Sequence, residues 1–142
     1  MSIANLHETL LCYTLRKNAI NTEIGRIETL KLLAIQNQGD QTTLRAQDEE
    51  EVREYFRTLF DENEEYQTLY RDYTEIPDFE EEMKKIQAAY QQELEELNAW
   101  EAELDSQITV SSTELEETKA LIESVRSMLS SNIQEDFKYG TK

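Results

Sequence analysis

The sequence predicts an all-α protein: an elongated antiparallel helical hairpin or coiled coil, with a broken N-terminal arm and a long C-terminal helix. Three observations predict it. Apolar residues recur at alternating steps of three and four over long stretches, which keeps them on one helical seam. Only three Gly and one Pro occur in 142 residues, too few for a β-sandwich, a dinucleotide-binding fold or a phosphate loop. The single proline, Pro77, stands near the middle of the chain, where the simplest arrangement folds one arm back on the other.

The N-terminal arm begins with a seam of Ile3, Leu6, Leu10, Tyr13, Ile20, Ile24, Ile27 and Ala34, with Lys17 and Lys31 filling two slots. Gly39-Asp40 follows the last periodic residue, and Gly just past a helix end supplies a left-handed turn, so the first helix is expected to span 1–38. The polar run Gln41–Gln47 reads as a loop or a frayed start. Asp48 with Glu51 has the form of a capping box and opens an acidic, aromatic second helix over 48–75. It carries Val52, Phe56, Leu59, Tyr66, Tyr70 and Tyr73, with Asn63 in one slot. Phenolic hydroxyls want a wet or hydrogen-bonded end, so this seam is expected to be partly exposed or to face a partner.

Ile76-Pro77 ends that helix, because the residue before Pro avoids the helical region. Asp78 and Glu81 form a second candidate capping box, and a helix over 78–138 follows. Its seam runs Tyr90, Leu94, Leu97, Leu104, Ile108, Leu115, Ile122, Val125 and Leu129, with Glu101, Ser111, Thr118 and Asn132 between. The run Ile108–Thr113 is rich in β-branched and hydroxyl residues, which weaken a helix, so a break or kink is expected near 109–112. The whole chain reads as one helical domain. Leu, Ile, Val and Phe make up about 23% of it, just above the level near which highly charged chains stay disordered. The long seams argue for order, least strongly over 40–75.

Charge is unevenly placed. The chain holds 31 acidic and 14 basic residues, a formal charge of −17. Residues 1–39 carry four basic and three acidic residues, 106–142 four and six, and 40–105 six and 22. Near-neutral ends can pack closely, whereas the acidic middle repels its own copies. The expected self-association surface is therefore terminal: Ile3, Leu6, Leu10, Tyr13, Ile20, Ile24 and Ile27 with Ile108, Leu115, Ile122, Val125 and Leu129. A partner protein's helix is the alternative target, through Phe56, Tyr66, Tyr70 and Tyr73.

Other chemistries find little footing. His7 and Cys12 lie about 140° apart around a helix, too far for a thiolate and its base, so His7 reads as a surface residue and Cys12 as a small buried one. No catalytic residue and no cofactor is expected. Glu-x-x-Glu pairs such as Glu51/Glu54 and Glu93/Glu96 lack the His a di-iron bundle requires, and a calcium loop from Asp61 would place Tyr66 where Gly is needed, so no metal is expected. Direct nucleic-acid binding is disfavoured by like charge, although a carboxylate array can mimic a nucleic acid in a basic groove. No apolar run approaches a membrane span, and no basic n-region with an apolar stretch opens the chain, so the expected location is cytoplasmic or exported without a cleavable signal peptide. Lys17 and Lys31 in the apolar seam spoil a lipid-facing surface.

The two terminal segments, Ile3–Ala34 and Leu97–Phe137 with its end Asn132-Ile133-Gln134-Glu135-Asp136-Phe137, enclose the strongly charged middle. This layout resembles that of the axial proteins of flagellar and type III secretion systems, and its small, acidic, helical character is also similar to secretion chaperones and hairpin adaptors. The resemblance implies terminal helices that build a filament or rod core and a middle that faces solvent. It carries no motif, so it implies no site residue. The expected function is a non-enzymatic structural or assembly subunit that self-associates through its terminal helices. A helical adaptor or chaperone is the alternative, and an acidic inhibitor of a nucleic-acid-binding protein the second alternative.

Overall fold

The computed structural model describes residues 2–140 and is an all-α hairpin. Helix α1 spans Ile3–Glu62 and α2 spans Glu64–Leu69; a single 3-10 turn covers Tyr73–Glu75, and α3 spans Pro77–Gly140. No strand forms among the described residues. The chain divides into two compact units, one built from Met1–Lys31 and Glu103–Lys142, the other from Leu32–Ala102. In each, a segment of α1 packs antiparallel to a segment of α3.

In the first unit the apolar seams meet as their spacing dictates. Ser2 starts α1: its hydroxyl accepts from the Asn5 N–H at 3.2 Å and its carbonyl from the Leu6 N–H at 3.0 Å. Leu6, Val125 and Leu129 form a buried cluster against which Ile3, Leu10 and Tyr13 pack. Ile20, Ile27, Leu104 and Ile122 are buried along the same interface. Lys17 and Lys31 sit in it half-buried, as their seam positions require. Thr118 is fully buried, its hydroxyl donating to its own helix at Glu114 O (2.8 Å), which satisfies the one polar atom such a position must bury.

In the second unit α1 continues where the sequence reading ends it. Gly39 lies inside the helix with no positive φ, and the expected loop over 41–47 and capping box at Asp48 do not form. The periodicity is unbroken but written in polar residues. Gln38 Nε2 donates to Asn98 Oδ1 (3.0 Å) and Glu101 Oε2 (3.3 Å), and the Thr42 and Tyr90 hydroxyls share a 2.9 Å hydrogen bond. Arg45 lays its guanidinium 4.6 Å from the centre of the Tyr90 ring. Glu49, only 8% exposed, is held by Arg45 at 3.4 Å and Arg53 at 3.6 Å. The bonds of Gln38 and Thr42 and the stacking of Arg45 cross to α3, the Glu49 pairs stay within α1, and together they replace apolar burial and carry the helix through a glycine that costs about 1 kcal/mol relative to alanine.

The N-terminal arm breaks at Asn63 instead. Asn63 adopts an extended backbone (φ −121°, ψ 104°), and its side chain accepts from the Glu65 N–H (3.0 Å) and the Tyr66 N–H (3.4 Å), capping α2. Gln67 Nε2 closes the other side of the break by donating to the Phe60 and Asp61 carbonyls at 3.1 and 3.0 Å. The helix expected over 48–75 is therefore the end of α1, then α2, then the 3-10 turn. Asp72 caps that turn, accepting from the Thr74 N–H at 2.8 Å and from the Thr74 hydroxyl. Ile76, extended as the residue before Pro must be, is buried.

Pro77 is the first residue of α3, where its missing N–H costs nothing. Asp78 thus lies within the first turn rather than at the cap, and with Glu80 it favours the positive helix end. The expected interruption near 109–112 is absent. The Thr109 and Thr113 hydroxyls each bond back to the carbonyl four residues earlier at 3.0 Å. Buried Leu104 and half-buried Ile108 and Leu115 anchor the helix on either side.

Candidate functional site

The seam residues named as a self-association surface occupy the interface between α1 and α3 inside the first unit. Leu6, Ile20, Ile27, Ile122, Val125 and Leu129 are buried there; Ile3, Leu10, Tyr13, Ile24, Ile108 and Leu115 are half-buried. The hairpin itself consumes this apolar stripe. What the first unit offers outward is a different set: Leu11 and Leu15, each 60% exposed, on α1, and Val110, Leu121, Met128, Ile133 and Phe137 on α3. These residues lie off the three-four repeat, so a seam-directed reading passes over them. The unit has eight basic and eleven acidic residues, a net charge of −3, against six and twenty in the second unit, −14. The division of charge along the chain is thus also a division between packed units.

The aromatic seam folds around the turn. Phe56 is buried and meets Phe79 edge-on, with ring centres 5.6 Å apart; Phe79 meets Tyr73 in the same way at 5.3 Å. The Arg57 guanidinium lies 5.2 Å from the centre of the Tyr73 ring. Tyr66 and Tyr70 pack on each other at 5.9 Å, half-buried. Of the four residues named for a partner, Phe56 is therefore a core residue, and the three tyrosines offer one side each.

Next to this cluster lies a groove the sequence reading does not foresee. About 590 Å³ in volume, it has a floor of Val52, Phe56 and Ile86 between α1 and α3, and Tyr55, 63% exposed, stands at its edge. Asp48, Glu51, Asp78 and Glu82 line it and no lysine or arginine does. Lys85 Nζ donates to Glu82 (3.3 Å), and that hydrogen bond, with the charges of Glu82, Glu81 and Asp78, holds the Lys85 ammonium above its ordinary value. Asp48, Glu51 and Asp78 make no ion pair among the described residues. A smaller groove of about 320 Å³ shares Asp48 and Ile86 and runs on past Leu44 and Ala89 to Tyr90, with Arg45 and Lys85 also along it. Its signal was present in the chain as Leu44, Tyr55 and Ile86, apolar residues set just beside the seam.

His7 and Cys12 are both exposed; Cys12, expected inside, falls between the seam residues Leu10 and Tyr13 and so points outward. Among the described residues no group of three or more His, Cys, Asp or Glu side chains is placed to hold a metal ion, and no helix is long and apolar enough to cross a membrane. No protein-family model, curated protein or solved structure matches this chain.

Proposed function

We propose that this protein is a non-enzymatic structural subunit that assembles with copies of itself through its first, near-neutral unit and leaves its acidic unit free of self-contacts. The observation that carries this reading is the division of charge: both units expose large apolar side chains, but the unit at −3 presents Leu11 and Leu15 without the repulsion that keeps the unit at −14, with its exposed Leu32 and Leu69, from its like. The accessible surface supports it. At 10125 Å², it exceeds the roughly 7600 Å² typical of a folded monomer of this mass, so ample surface is left to bury on association. The resemblance in layout to axial proteins of secretion systems points the same way.

Sedimentation velocity over a concentration series tests the reading. Assembly should grow with concentration and with salt, because salt screens the repulsion between acidic units. Replacing Leu11 and Leu15 together by Gln should abolish it without loss of helicity. A monomer at all concentrations in 0.15 M salt would refute the proposal.

A further inference from the structure

We propose that the groove of the second unit binds a basic amphipathic helix of a partner protein. This goes beyond the assembly reading and uses a different surface. The floor of Val52, Phe56 and Ile86 is apolar and already shaped by the two helices that flank it, and a third helix seats naturally in such a furrow. Its extension past Leu44, lined by Arg45 and Lys85 as well as Asp48 and Glu93 and so near-neutral, lengthens it to about 16 Å along α1, room for roughly three turns of a docked helix whose basic residues fall at the Glu51 end. The rim decides the charge of the occupant. Asp48 and Glu51 make no ion pair among the described residues, so lysines or arginines flanking an apolar stripe would meet carboxylates that are not yet paired. An acidic helix would be excluded by the same groups, and the surrounding −14 unit would speed the encounter with a cationic one. A second copy of this chain is disfavoured, since its own acidic unit would have to approach.

The test is calorimetric titration of the full-length protein with a synthetic Leu/Lys peptide whose leucines fall at i, i+3, i+4 and i+7. One peptide should bind per chain, and a scrambled peptide of the same composition should bind at least about tenfold more weakly. Tyr55→Ser, which changes an exposed residue, and the pair Asp48→Asn with Glu51→Gln should each weaken binding about tenfold or more. The control pair Glu64→Gln with Glu65→Gln on α2 removes as much charge elsewhere in the unit and should leave affinity unchanged. Equal binding of the scrambled peptide, equal loss from both charge pairs, or no heat at all overturns the proposal. So does displacement of the peptide by a second copy of the protein. None of these outcomes depends on Leu11 or Leu15, so assembly and groove binding fail separately.

Discussion

Lys31 Nζ lies 2.6 Å from Asp105 Oδ1, joining α1 to α3 across the interface of the first unit. Lys31 holds a seam position where an apolar residue would bury more surface, so its presence trades stability for register. Replacing Lys31 by Leu should raise stability by about 0.5–1 kcal/mol, because the area buried outweighs a half-exposed ion pair worth less than about 1 kcal/mol. Asp105→Ala should lower it by less than about 1 kcal/mol. Urea unfolding followed by circular dichroism reads both, and a loss of stability in Lys31→Leu would contradict this account of the pair.

Gly39 lies inside a continuous helix, and a Cβ built there meets nothing within 4 Å. Gly39→Ala should therefore stabilise the protein by about 0.5–1 kcal/mol, through helix propensity and a less flexible unfolded chain. Were Gly39 a left-handed helix terminator, the same change would destabilise. The sign of the shift in melting temperature separates the two.

Core and outer leucines should differ sharply. Leu104, 2% exposed, should cost about 2–4 kcal/mol on truncation to Ala, while Leu11→Ala in the monomer should stay within about 0.5 kcal/mol. Thr118→Val should hold or raise stability by up to about 0.5 kcal/mol. It keeps the branched shape and removes a buried hydroxyl whose only partner among the described residues is a carbonyl of its own helix. Denaturant midpoints at constant slope check the three variants together.

The turn between α2 and α3 should be sensitive to acid. Hydrogen bonds from the Thr74 hydroxyl and then the Thr74 backbone N–H hold the Asp72 carboxyl below its ordinary value. A lowered folded-state value means the unfolded chain takes up the proton first as pH falls. The stabilisation is complete above the ordinary carboxylate range, near pH 4, and fades as pH drops through the folded value. An NMR titration should place the Asp72 midpoint below that of a model peptide, and Thr74→Ala should move it back up. An unmoved midpoint in Thr74→Ala would assign the shift to another cause.

The apolar periodicity made the hairpin legible. Every seam position it marks from Ile3 to Ala34 and from Tyr90 to Asn132 is buried or half-buried, including the polar fillers Lys17, Glu101 and Thr118. It was blind where the repeat is carried by Gln38, Thr42 and Arg45, because polar residues at those positions look like a loop until their partners on the other helix are known. Asn63 was read as a core slot for the converse reason: its spacing fits the seam, but its side chain serves the backbone. Propensity misled at Ile108–Thr113, where packing on both sides outweighs a weak local preference for helix. The groove escaped notice because Tyr55 and Ile86 acquire a common purpose only once residues distant in sequence become neighbours.

The stretch of α1 stitched to α3 by Gln38, Thr42 and Arg45 releases little oily surface when it opens, unlike the stretch held by Leu6, Ile20 and Ile27. Deuterium should therefore enter the amides of residues 38–49 well before those of 6–27. The second unit thus opens along residues 38–49 while the first is still zipped, which leaves its polar stretch the more accessible of the two to a partner.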